Sequence, residues 1–419
     1  MKKKILFSFL LGMMLLSFTT SCEKEEAEQT TEKNDNQNGQ GDAKGDDNQK
    51  QDDSQQGGDN GQGGEAPAGG DGNQDVLTPP IVVTVDADGN ADGEHSFTKI
   101  DENNFYIDGI KYTVSQDFLM VTGYNSASFE GEAKIISQLN YAGREMQVKE
   151  IGEKAFKQCT GLTSVIISEG VTRIEDSAFS HCTGLTSVTI PSSVTSFGLY
   201  VLSGCSSLTS ITVADGNPTY DSRENCNAII STRSNSLIAG CKNTTIPSSV
   251  TIIGEKPFSD TGLTSVTIPS SVTIIYDYAF SNCAELSSIT VEDSNPMFDS
   301  RENCNAIIYT YDNTLAVGCK NTIIPSSVTS IRGYAFTGCT SLTSVTIPSS
   351  VTSIGQNAFQ RCDGLTDVFC YAETLPNTGK SIFSGVNTAN MTLHVPASAI
   401  NAYKTTAPWS GFGSIVAIQ

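Results

Sequence analysis

Cations are scarce in this chain: 25 Lys and Arg stand against 46 Asp and Glu, a formal charge of −21. Binding nucleic acid takes clustered cations that neutralise phosphates, so no nucleic-acid partner is expected. No basic patch offers itself to an anionic lipid surface either. Histidine occurs three times, at His95, His181 and His394, no two of them close in sequence, and no Cys-x-x-Cys pair is present. That leaves no zinc site of ordinary spacing. A nucleophile elbow, a P-loop and a dinucleotide fingerprint are all missing. With a single Trp, the chain is poor in the aromatic platforms that glycan capture uses. The expectation is a non-catalytic protein with no cofactor and no metal.

What is present begins with an address. Lys2, Lys3 and Lys4 precede an apolar run, Ile5 to Phe18, too short to span a bilayer comfortably. Small residues Thr19, Thr20 and Ser21 lead into Cys22. The order resembles a bacterial lipoprotein signal, residues 1–21, and implies lipidation of Cys22. An ordinary secretory signal with an incidental cysteine is the alternative. Lys24, Glu25 and Glu26 resemble the Lys-plus-acidic export tag of surface lipoproteins. Together they imply an outer-membrane lipoprotein of the cell envelope, surface-exposed and touching the membrane through its lipid alone. Glu23 to Asp75 holds fifteen acidic and four basic side chains, a net of −11, and almost nothing apolar. Such a segment cannot bury enough surface to offset its ordering entropy. Residues 22–75 therefore read as a disordered acidic tether with an r.m.s. reach of roughly 40 Å.

Residues 76–147 read as short strands that cap the first repeat of the remaining chain. Asp86-Ala87-Asp88-Gly89-Asn90 has the oxygen-rich look of a calcium loop. Its twelfth position is Phe97 rather than Glu, which favours a flexible acidic turn. Phe105 to Val114 reads as a hairpin about Asp108-Gly109. Further strands are expected at Met120–Tyr124 and Ala133–Ile136.

Aligned on its Phe residues, the rest of the chain repeats. Ile151 to Phe156, Ile174 to Phe179, Ile275 to Phe280, Ile331 to Phe336 and Ile354 to Phe359 share Ile-x-x-x-Ala-Phe, and Cys-x-x-Leu-x-x-Val-x-Ile-Pro comes after it, as in Cys182 to Pro191. Phe197 to Leu202 and Ile253 to Phe258 are weaker copies. The step is 23 residues from Ile151 to Ile174, from Ile174 to Phe197 and from Ile331 to Ile354, and 56, one unit plus 33, from Phe197 to Ile253 and from Ile275 to Ile331. A period of 20–29 with this apolar spacing is the signature of a leucine-rich repeat. In Leu185-Thr186-Ser187-Val188-Thr189-Ile190 the apolar residues point inward and Ser and Thr face water. No coil can bury its apolar side alone, so stacking is obligatory. Thr189, Thr212, Thr267, Thr290 and Thr346 would then form a flat exposed ladder. Losing Phe336 from a middle coil should cost more than losing the degenerate Phe383 near the end.

The two 33-residue insertions fall within near-twin segments, Asn217 to Thr251 and Asn295 to Thr329. Each reads as a hairpin, turning at Thr232-Arg233-Ser234-Asn235 and at Thr310-Tyr311-Asp312-Asn313. Insertions of this kind map to one face of a solenoid, often the binding face, which makes Arg233, Tyr309, Tyr311 and Asp312 the candidate partner-binding residues. Six cysteines (Cys159, Cys182, Cys205, Cys283, Cys339 and Cys362) share one repeat position and should stack as inert core thiols. Folding each hairpin about its turn places Ile230 opposite Leu237, hence Cys226 opposite Cys241, and Cys304 opposite Cys319 in the twin. Those pairs could be disulfides or free core thiols.

The Ile-Gly-x-x-Ala-Phe-x-x-Cys-x-x-Leu-x-x-Val-x-Ile-Pro unit resembles the BspA-like branch of leucine-rich repeats, from about Val148 to Ile418. The closing residues Met391 to Pro396, Tyr403-Lys404 and Trp409 to Phe412 are similar to that family's end cap. The resemblance implies a cell-surface protein adhering to host or microbial surface proteins, with no catalytic residues to carry over. A glycan-capture lipoprotein is the alternative. The fold class expected is a mainly β repeat solenoid, a right-handed leucine-rich-repeat coil with two inserted hairpins. It divides into the cap at 76–147, the solenoid at 148–390 and a closing cap at 391–419, and a monomer is expected.

Overall fold

The computed structural model describes residues 80–125 and 129–418. The signal segment, Cys22, Lys24, Glu25, Glu26 and the acidic tether lie outside the described residues. Within them the chain is strand and turn, and its one α-helix, Ile400–Thr405, is short.

At the front, Phe97–Lys99, Asn104–Ile107, Ile110–Ser115 and Phe118–Tyr124 form an antiparallel meander. Its hairpin turns where the sequence places it. Ile107 pairs with Ile110, and Asp108 and Gly109 take φ of 50° and 77°, as a two-residue turn matched to strand twist requires. Phe118–Tyr124 then pairs in parallel with Arg144–Ile151, whose last residues pair with Arg173–Ile174 of the first coils. Gly131–Ile135 pairs with Leu162–Ile167. Both strand edges of the first coil are thereby occupied. The acidic turn closes on itself. Asn90 Nδ2 donates to Asp86, and the backbone of Asn90 and Asp88 donates to its other oxygen, which holds the Asp86 carboxyl below the usual value.

Each 23-residue coil has three sides. Leu162–Ile167, Ser187–Ile190 and Ser210–Val213 run in parallel on the first, with Ser187 paired to Ser164 and Ser210. Val188 and Ile190 are buried there, and Ser187 and Thr189 are exposed. Short strands such as Arg173–Ile174 and Ser196–Phe197 make the second side. On the third, the chain turns around its Phe, whose N–H donates to the next coil: Phe156 to Ala178 O at 2.7 Å, Phe336 to Ala358 O at 2.8 Å. The residues two before and two after each Phe are left-handed, as Ser177 and His181 are around Phe179 (φ 57° and 60°). The rings stack through the core, Phe156 on Phe179 at 5.2 Å and Phe336 on Phe359 at 5.1 Å. Behind them run the repeat cysteines, each buried and free. Cys182 Sγ lies 3.0 Å from Phe156 O one coil back, and Cys362 Sγ lies 3.1 Å from Phe336 O. Burial pushes the thiols of Cys283 and Cys362 up to about 12.

The inserts do not stand off the solenoid as hairpins on its surface. Across each 56-residue step the third side continues unbroken: Gly204 donates to Ser259 O at 3.2 Å, and Asn282 to Thr337 O at 2.9 Å. On the second side the first insert adds Tyr220–Asp221, Ala228–Ser231 and Ser236–Gly240 in line before Ile252–Ile253. The twin adds Phe298–Asp299, Ala306–Tyr309 and Thr314–Gly318 before Ser330–Ile331. The middle strand of each is buried on both faces. Ile229 packs into the core before it and Ala228 and Ile230 into the core after it; Ile307 divides likewise from Ala306 and Ile308. A continuous Ala-Ile-Ile run is what a strand covered on both faces needs. The hairpins are partition walls inside the core.

This placement corrects the cysteine register. Ile230 does face Leu237, and Ile308 faces Leu315, but a bulge lies next to each pair, so that Ile229 pairs with Ala239 and Ala228 with Gly240. The extra residue slips Cys226 past Cys241, and Cys304 past Cys319. Cys226 Sγ turns toward Ala228 O at 3.8 Å and Cys241 Sγ toward Asn227 O at 3.5 Å. All four are free and buried. The threonine ladder is also interrupted, because the first side breaks into separate sheets at the inserts. Thr189 pairs with Thr212 and Thr267 with Thr290, but Thr346 faces Phe369, which faces His394.

Thr392–Val395 and Ser414–Ala417 extend the first side past Asp367–Cys370. Phe383 stacks on Phe359 at 5.5 Å and meets Trp409 and Phe412 edge-on, so the final ring is covered by buried aromatics.

Candidate binding surface

Both hairpin turns are pinned in the same way. Arg223 forks onto Asp221 (2.7 and 2.6 Å) and reaches Asn235 Oδ1 at 3.1 Å. Arg301 repeats this on Asp299 and on Asn313 Oδ1 at 2.7 Å. What the twins share serves the fold, so function is to be sought where they differ.

Equivalent positions lie 78 residues apart, and four change together: Gly198 becomes Tyr276, Leu199 becomes Asp277, Ser231 becomes Tyr309 and Gly254 becomes Arg332. In space three of them form one network. Arg332 Nη2 lies 2.8 Å from Asp277 Oδ1, and Nη1 donates to the Tyr309 hydroxyl at 2.8 Å. The guanidinium also stands over the Tyr309 ring, 5.7 Å from its centre. Nη1 is 3.5 Å from Ile275 O, back across the junction between coils. With Glu255, Thr273, Ile274 and Tyr276 these residues line an open groove of about 500 Å³.

The groove sits where the second side changes sheet. Ile274–Ile275 closes one sheet and Phe298–Asp299 opens the next. At the first insert the Tyr220 hydroxyl bridges the same junction by accepting from Phe197 N at 3.1 Å. Phe298 holds Tyr220's place in the twin and has no hydroxyl to do so. Along the third side beside it runs a ladder of left-handed residues, Tyr200, Lys256, Tyr278 and Tyr334. Lys256 Nζ stands 4.2 Å from the Tyr200 ring centre and 5.0 Å from that of Tyr278, and Tyr278 meets Tyr334 at 4.3 Å. Bulky residues are uncommon at such φ. Since Lys154, Ser177 and Asn357 share the conformation, the turn demands it and not the tyrosine.

Of the residues singled out from sequence, Arg233, Tyr311 and Asp312 are exposed at the hairpin tips. Asp312 serves its turn, accepting from Thr314 N at 2.9 Å. Tyr311 is 68% exposed and lies 5.2 Å from Tyr309. Tyr309 is half-buried, and that burial raises its hydroxyl above the usual value. Sequence reading missed Tyr276, Asp277 and Arg332, which belong to coils on either side of the hairpin. Comparing the twins over whole coils, rather than over the hairpins alone, would have found them.

A family model described as a BspA type leucine rich repeat region, in six copies, matches residues 126–238, 230–307 and 308–404. No curated relative matches the chain. Similar solved structures include a leucine rich cell surface protein from Faecalibacterium prausnitzii, at 24% identity over 76% of this chain and 96% of that one, with a TM-score of 0.43. The pneumococcal vaccine antigen PcpA is 16% identical over 77% of this chain and 85% of that one, with a TM-score of 0.41. A leucine-rich repeat protein from Bacteroides ovatus is 22% identical over 75% and 76%, with a TM-score of 0.35.

Proposed function

This chain belongs to the BspA-type leucine-rich repeat family, and from that premise we propose that it is a non-catalytic adhesion protein of a bacterial surface. A lipid on Cys22 anchors it, Lys24, Glu25 and Glu26 direct it outward, and the acidic tether carries the solenoid clear of the membrane. It binds proteins on host or microbial cells. One observation carries this reading: the second insert and the coil before it display Tyr311 and Tyr276, 68% and 53% exposed, where the first insert and its preceding coil have Arg233 and Gly198. The twin folds without those rings, so the fold does not require them. Exposed aromatics beside an Arg are the residue types that anchor interfaces. A stable complex would cover about 800 Å² on each partner, an area that would spread from the groove over neighbouring coils.

The test has two arms. The lipid-free chain with Cys22→Ser is passed over immobilised matrix proteins and over surface proteins extracted from neighbouring bacteria. Saturable binding that falls at least tenfold in Tyr311→Ala supports the reading, and no saturable binding contradicts it. The unaltered chain should partition into detergent on phase separation, and the Cys22→Ser chain into water. A glycan ligand is the second reading, and the groove itself favours it.

A further inference from the structure

We propose that the groove between Tyr276, Asp277, Tyr309 and Arg332 is a binding subsite for a neutral oligosaccharide. A sugar ring offers an apolar face and an edge of hydroxyls that both donate and accept. Its recognition calls for an exposed aromatic plane beside planar polar groups held in fixed orientation. Tyr276 supplies the plane, half exposed at the groove's rim. The Arg332–Asp277 pair supplies the polar groups, already oriented by their 2.8 Å contact and by the 2.8 Å bond from Arg332 to Tyr309. A guanidinium carries five fixed donors and a carboxylate about four acceptor sites, more than this network engages. Both side chains also remain open to solvent, at 34% and 48%.

Charge decides which sugar. The charged residues that line the groove are Glu255, Asp277 and Arg332, an excess of one negative, with Lys256 on the flanking ladder. No positive excess draws a sialylated or sulfated ligand. The volume, about 500 Å³, falls within the span of small-molecule sites. The floor is guanidinium, carboxylate and phenol with Ile274 at one side, a lining matched to a ring that carries hydroxyls. The first insert is an internal control: Gly198, Leu199, Ser231 and Gly254 stand in these places, so the Arg–Asp–Tyr network has no counterpart there.

The inference does not rest on the adhesion reading. The full lipid-free chain is applied to an array of di- to hexasaccharides of glucose, galactose, mannose and N-acetylglucosamine, with sialylated and sulfated counterparts. The best ligand is then titrated by calorimetry. A neutral oligosaccharide should bind, and Tyr276→Gly and Arg332→Gly, each restoring the twin's residue, should each weaken it at least tenfold. Tyr276→Phe should stay within threefold, and all three should keep the parent unfolding midpoint within a few degrees. Retention of no neutral sugar, retention of acidic sugars only, or equal affinity in both glycine variants overturns the inference. A chain that binds matrix proteins but no neutral sugar overturns this inference alone, and one that binds only the sugar overturns only the adhesion reading.

Discussion

A Cβ built on Gly318 would lie 2.1 Å from Cε1 of Phe336, so the second hairpin and the ring of the next coil occupy one shared space. The same holds for Gly240 and Phe258, at 2.4 Å. The glycine in each Leu-x-x-Gly-Cys is there because a ring takes the place of its side chain. Gly318→Ala should destabilise the solenoid by about 1–3 kcal/mol, the usual cost of overpacking. Urea unfolding monitored by far-ultraviolet circular dichroism measures this, and an unchanged midpoint would mean that the hairpin is not packed into the core.

Much of this fold is legible in the sequence, because stacked coils repeat residue types at a fixed period. The 23-residue step, the inward Val188 and Ile190, the turn at Asp108-Gly109 and the facing of Ile230 and Leu237 all come from spacing. The bulge beyond Ile229 does not, since no residue type announces an extra residue within an apolar run. That one slip separates Cys226 from Cys241. Nor does spacing show that Tyr276, Tyr309 and Arg332 meet, because the 56-residue step brings together turns that a strict 23-residue count keeps apart. The left-handed positions of Tyr200, Tyr278 and Tyr334 are hidden for a similar reason: the repeat fixes their φ whatever residue stands there.

The aromatic stack predicts graded losses. Phe336 is fully buried between Gly318 and Phe359, and Phe336→Ala should cost about 3–5 kcal/mol. Phe383 is 7% exposed but roofed by Trp409 and Phe412. Its loss should therefore reach the low end of the same range and stay below that of Phe336. Paired denaturant titrations rank the two, and a larger cost at Phe383 would contradict the covered-end picture.

The buried thiols predict silence toward reagents. Native chain at pH 8 should leave the eleven described cysteines unmodified by iodoacetamide, and urea should expose all of them to it. Modification of nine, with the Cys226 and Cys241 peptides joined, would show that the bulged register is wrong.

The same burial sets an alkaline limit. Cys283 and Cys362 are pushed from an ordinary value near 9 up to about 12 in the folded chain. A folded value above the unfolded one means the stabilising form is the protonated thiol. The contribution is complete below about pH 9 and is lost as pH rises toward 12. Unfolding midpoints at pH 7, 9 and 11 should hold and then fall, and Cys283→Ala should flatten that fall. A midpoint that rises with pH in this window would contradict it.

The claim that partner recognition resides at the second insert and the coils flanking it is tested most directly by giving that region the residues of the first. Fluorescent lipid-free chain is incubated with host and microbial cells and read by flow cytometry, beside a chain carrying Tyr276→Gly, Asp277→Leu, Tyr309→Ser, Tyr311→Arg and Arg332→Gly. The account predicts that the parent chain stains a cell type and that the recast chain, still folded, loses at least nine-tenths of the signal. Equal staining by the two chains would contradict it.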